Sequence, residues 1–112
     1  MSIYINFDEG VKRVMNNSKL YIKLLGKFLE DTSINKLDTE LKNNNLEEAY
    51  VSIHSIKGLA ANLSLTELFN CSLELENQVK AKSVNPDQIS AFQNIYKLTV
   101  AEIEKVIAQN ES

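Results

Sequence analysis

Positions 46–63 read Leu-Glu-Glu-Ala-Tyr-Val-Ser-Ile-His-Ser-Ile-Lys-Gly-Leu-Ala-Ala-Asn-Leu, and their apolar spacing is that of an amphipathic helix. Indexed at about 100° per residue, Leu46, Ala49, Ile53, Ile56, Ala60 and Leu63 fall on one side, the side a bundle core takes. His54, the chain's only histidine, lies roughly 130° from the centre of that stripe by the same arithmetic. It points outward or to the edge of the core. Lys57 and Gly58 follow three and four positions later and share its face.

Gly58 needs a reason, because a glycine inside a helix costs about 0.5–1 kcal/mol relative to alanine. A helical side chain leans over the turn N-terminal to its own Cα, so a side chain at 58 would lie over position 54. Glycine there leaves the imidazole uncovered. Lys57 adds a fixed positive charge beside it. An exposed imidazole, a neighbouring cation and a cleared approach describe a phosphoryl acceptor.

The pattern His54-x-x-Lys57-Gly58, with Leu63, Leu68 and Leu75-Glu76 downstream, resembles the histidine-containing phosphotransfer (HPt) family of two-component phosphorelays. The resemblance runs over roughly 7–106. It implies a phosphoprotein carrier whose phosphohistidine forms at His54 and relays a phosphoryl group between aspartates of response-regulator receiver domains. The partners implied are receiver domains of response regulators or of hybrid histidine kinases. Mg²⁺ is then expected on the receiver, and the chain is expected to need no cofactor of its own and not to be an enzyme. One position departs from the family: Ser64 stands where a glycine is usual at the interhelical turn. Ser64 and Glu67 instead read as a capping box for the next helix.

A tight turn at Ser64 makes 45–63 and 65–82 antiparallel neighbours. Counting ten residues back from it reaches His54, and ten to twelve forward reaches Glu74 to Glu76. Glu76 is therefore level with the histidine, where a carboxylate can accept the Nδ1–H and leave Nε2 as the nucleophile. The resemblance carries the same orienting role onto Glu76. Docking is expected on the outer face holding Glu47, Val51, Ser55, Gly58, Asn62 and Leu65. The plainer alternatives are a surface histidine, a surface lysine and a solvated glutamate, in a helical adaptor that binds a signalling partner through the same face without passing phosphate. A weaker third idea is a fragment of an autokinase whose ATP-binding domain lies elsewhere.

The rest of the chain is expected to complete an all-α fold, an antiparallel up-down-up-down four-helix bundle with a short extra N-terminal helix. An arm covers 1–7, and Asp8 caps a short helix over 8–16 ended by Asn16-Asn17. Ser18 caps a long helix over 18–43, kinked near Thr32, with two helices and Ser33 capping the second as the alternative. Asn43-Asn44-Asn45 is a stop-and-turn signal, and Asn45 with Glu48 starts the histidine helix. Asn85-Pro86-Asp87 opens a last helix over 86–109. Leu20, Leu24, Phe28, Ile53, Ile56, Ala60, Leu68, Leu75, Phe92, Tyr96 and Ile103 are the expected core.

Composition agrees with this class. With 112 residues, 44% of them hydrophobic, and a single proline, one helical domain over 1–112 is expected, and a monomer. A net charge of −3 lacks the basic excess of a nucleic-acid binder. One cysteine, Cys71, and one histidine rule out an internal disulfide and argue against a structural zinc site. Cys71 reads as a half-buried core filler. The N-terminus has no basic region followed by a long apolar run, and no stretch nears the roughly 20 apolar residues of a membrane span. A cytoplasmic protein is the expectation.

Overall fold

Asparagines punctuate the chain. Asn6, Asn17 and Asn45 each accept, through the side chain, a hydrogen bond from the backbone N–H three residues on (Glu9, Leu20 and Glu48). Each bond satisfies one donor that a helix start leaves orphaned. The computed structural model describes residues 3–110, and among these all regular structure is helical. The helices are α1 (Phe7–Arg13), α2 (Ser18–Leu29), α3 (Ser33–Lys42), α4 (Leu46–Asn62), α5 (Thr66–Lys80) and α6 (Pro86–Asn110). α4 packs against α3 and α5, α5 against α6, and α6 against α2.

The expected single helix over 18–43 is two helices. Neither glycine nor proline breaks it. Instead the Asp31 side chain accepts the Ser33 N–H at 2.8 Å, a local bond that competes with the helical ladder. The residue capping α3 is Thr32, which makes no side-chain cap bond, so Ser33 is not the cap either. The first helix is also shorter than 8–16. Asn6 caps it in place of Asp8, and Met15 and Asn16 are both left-handed, with φ of 59° and 62°. Asn17, not Ser18, caps α2.

Left-handed non-glycine residues close three further helices, α3, α4 and α5, as Met15 closes α1. Asn44, Ser64 and Lys82 take φ of 54°, 56° and 56°. Behind each, the next N–H reaches five residues back, as in Leu65 N to Ala60 O at 2.9 Å. This is the Schellman arrangement, which satisfies orphan carbonyls at a helix end. At Ser64 it replaces the expected capping box: the residue capping α5 is Leu65, without a side-chain cap bond. The Ser64 hydroxyl donates to Glu9 Oε1 instead, at 2.9 Å.

That turn is where the N-terminal segment docks. Asn6 N–H donates to Ser64 O at 2.9 Å, Thr66 Oγ1 donates to Ile3 O at 2.9 Å, and Ile5 is buried. Of the expected arm over 1–7, positions 1 and 2 lie outside the described residues, and Phe7 already belongs to α1. The Tyr21 hydroxyl donates to the Leu63 carbonyl. Burial first, and then the Glu9 charge, push that phenol up to about 12, so it stays a neutral donor at neutral pH. α2 therefore turns Tyr21, Leu25 and Phe28 inward. Leu20 is exposed and Leu24 half-buried, against expectation. Tyr96 is also only half-buried, while Phe28, Ile53, Ile56, Ala60, Leu68, Leu75, Phe92 and Ile103 are buried. Among the described residues, no helix is long and apolar enough to cross a membrane.

Candidate functional site

Two neighbouring helices, folded back on each other through the Ser64 turn, bring the site together. His54 Nδ1 lies 2.8 Å from Glu76 Oε2. Lys57 Nζ donates to the other oxygen, Oε1, at 2.7 Å. The imidazole side chain is 61% exposed and the glutamate 9%, so the carboxylate is an interior anchor and the ring its outward extension. An ionised carboxylate only accepts hydrogen bonds, so a neutral imidazole here carries its proton on Nδ1. The Nε2 lone pair is left free.

The anchor is ionised despite its burial. Burial pushes the Glu76 carboxyl up, but the hydrogen bonds from Lys57 and His54, with the charges behind them, outweigh it and hold the group below its ordinary value. Of the two donors, Lys57 carries a permanent charge. Its first electrostatic partner is thus the glutamate.

Gly58 faces open space: a Cβ built there meets nothing within 4 Å. Packing inside the protein does not require glycine at 58, and the helix would be better formed without it. Gly10 is the contrast, because its Cβ would stand 2.3 Å from the Tyr21 ring. One glycine is needed by the fold; the other leaves the surface beside His54 bare.

Tyr50 is the residue the sequence reading missed. Its ring lies in an offset stack on the His54 ring, with centroids 5.9 Å apart and planes 15° from parallel. The signal was present, since residues four apart on a helix meet.

Around the site, Glu47, Val51, Ser55, Gly58 and Asn62 are exposed on α4. Val51 is 63% exposed, much for a valine. Leu65 does not belong with them. It is fully buried, because the residue following a left-handed helix end folds its apolar side chain back onto the helix. A groove of about 630 Å³, lined by Arg13, Leu24, Phe28, Leu59 and Leu63 among others, opens between α2 and the end of α4. His54 is not part of its wall, and the imidazole stands on an open helix face. Cys71 is half-buried, and burial above all pushes its thiol up to about 12, which makes it a poor nucleophile. Among the described residues, no cluster of His, Cys, Asp and Glu could hold a metal ion.

A family model described as Hpt domain matches residues 23–109, a span that takes in His54, Lys57, Gly58 and Glu76. No curated protein and no solved structure gave a match.

Proposed function

Because the chain belongs to the Hpt domain family of phosphotransfer modules in two-component signalling, we propose that it relays a phosphoryl group between receiver-domain aspartates through His54. Nε2 attacks the phosphorus of an aspartyl phosphate on a receiver. The N–P bond forms as the acyl O–P bond breaks, and the aspartate leaves as a carboxylate. Glu76 keeps the Nδ1 proton throughout, so Nε2 stays the nucleophile. The reverse step delivers the phosphoryl group to an aspartate on a second receiver.

The observation that carries this reading is the 2.8 Å bond from Nδ1 to a buried carboxylate under an exposed ring. It prepares one nitrogen and presents it to solvent. Phosphoryl transfer needs positioning and charge neutralisation more than covalent machinery. The imidazole is exposed on an open helix face, and this reading has the receiver supply Mg²⁺ and most of the catalytic groups. The chain is then a carrier, not an enzyme. Lys57, bonded to the same carboxylate as His54, is the cation this reading assigns to the incoming phosphoryl charge.

The same reading takes the helices as an up-down-up-down bundle, with α2 and α3 together as its first member and α1 as the extra helix. The pairs of helices in contact support that order. Docking falls on Glu47, Val51, Ser55, Gly58 and Asn62, where the small Ser55 and Gly58 beside His54 let a partner come close. The carrier is taken to act as a cytoplasmic monomer.

Incubation with phosphorylated receiver domains tests the proposal. Wild type should acquire acid-labile phosphate and His54→Gln none. An adaptor that docks through the same face without accepting phosphate would bind the receiver and remain unlabelled.

A further inference from the structure

We infer that Tyr50 is a positioning residue for His54, holding the imidazole by one face while Glu76 holds it by one edge. The inference rests on the relay reading for its consequence and on geometry alone for its substance.

A single hydrogen bond fixes a point, not a plane. With only Nδ1 tied to Glu76 Oε2, the ring of an exposed side chain can still pivot about that bond and swing Nε2 through an arc. The stacked Tyr50 ring, with planes 15° apart, removes that freedom. Aromatic rings with centroids this far apart prefer offset-stacked or edge-to-face arrangements to a face-to-face sandwich, and this pair takes the offset-stacked one. The pairing follows from the helix itself. His54 leans back over the preceding turn, and position 50 is the residue on that turn that lies beneath it.

Tyr50 can act as a platform because it is itself anchored. It is half-buried and packs against the hydrophobic core, on a groove it lines with Leu46 and Val79. On the other side of the imidazole along the helix, Gly58 contributes no side chain at all. The ring is therefore supported on the turn before it and bare on the turn after it. Its Nδ1 edge is tethered to Glu76 on α5, which leaves Nε2 on the untethered edge of a ring whose plane is fixed. A phosphoryl donor meets a nucleophile already aligned, and alignment of reacting atoms is a large part of what such a transfer requires.

The test uses Tyr50→Leu and Tyr50→Phe in the full chain, both good fits to a helix, with folding checked by circular dichroism. Three quantities are read: order of the His54 ring by NMR, from contacts to ring 50 and relaxation of the imidazole; the single-turnover rate from one phosphorylated receiver; and the affinity for that receiver. Tyr50→Leu should let the ring average over orientations and slow transfer roughly three- to tenfold, with affinity and the Nδ1–H tautomer unchanged. Tyr50→Phe should restore ring order and most of the rate. A Tyr50→Leu ring as ordered as wild type overturns the inference. So does a rate loss fully explained by weaker receiver binding, which would make Tyr50 a docking contact. If no receiver phosphorylates even the wild type, the relay reading fails, and ring order alone then decides the role of Tyr50.

Discussion

Lys57 Nζ sits 2.7 Å from the Glu76 oxygen that His54 leaves free. The carboxylate thus bridges two donors, one on each oxygen, and both come from α4 while the acceptor comes from α5. The sequence alone suggested a lysine waiting for a phosphoryl group. The structure shows a lysine whose ammonium donates to the anchoring carboxylate and helps keep it charged. The two donors and one acceptor act as a unit, and their removals should not be additive.

Glu76→Gln keeps a carbonyl that can accept the Nδ1–H, so transfer should persist at a reduced rate. Glu76→Ala removes the acceptor, frees the ring and lets either nitrogen carry the proton, so transfer should fall further. Nitrogen-15 shifts of the imidazole report the tautomer, and single-turnover transfer reports the rate. If Glu76→Ala changes neither, the glutamate does not orient the histidine.

Acid should dissolve the anchor. A carboxyl whose folded pKa is depressed contributes stability above its unfolded value, about 4.3 for glutamate. That contribution is lost as pH falls through the folded pKa. Glu76 is depressed in this sense, so wild type should exceed Glu76→Gln in stability at neutral pH, with the gap closing in acid. Lys57→Ala removes a hydrogen bond and a charge that hold the carboxyl down, so its acid-linked loss should be smaller and should be complete at a higher pH than in wild type. Urea midpoints from acid to neutrality measure both. A gap independent of pH would contradict this electrostatic account.

The glycines should separate fold from function. Gly10→Ala forces a Cβ to within 2.3 Å of the Tyr21 ring and should cost about 1–3 kcal/mol as overpacking. Gly58→Ala meets nothing within 4 Å and should gain about 0.5–1 kcal/mol from helix propensity. Gly58→Leu should keep the fold and block transfer, because its side chain leans over His54. Denaturant midpoints and transfer rates check the three variants. Wild-type transfer in Gly58→Leu would sink the clearance argument.

Much of this was legible because helices obey fixed arithmetic. The 3.6-residue period placed Ile53, Ile56 and Ala60 inside and His54 outside, and counting across the Ser64 turn set Glu76 level with it. The failures share another cause: local contacts that periodicity does not encode. The α2–α3 break comes from one Asp31 side chain reaching the Ser33 N–H. In α2 the apolar pairs Leu20-Tyr21 and Leu24-Leu25 fit two registers. Tyr21 settles the choice by hydrogen-bonding Leu63 O beside Gly10. Leu65 looked like surface next to the site and is core, since the left-handed Ser64 turns the chain inward. Tyr50 was passed over because it sits off the core stripe and carries no catalytic group.

Which nitrogen of His54 takes the phosphoryl group is the sharpest question. Wild type should be labelled from a phosphorylated receiver and examined by phosphorus-31 and nitrogen-15 NMR. The geometry predicts phosphate on Nε2, with Nδ1 still protonated against Glu76, and no label in His54→Gln. Phosphate on Nδ1, or label that survives in His54→Gln, would contradict it.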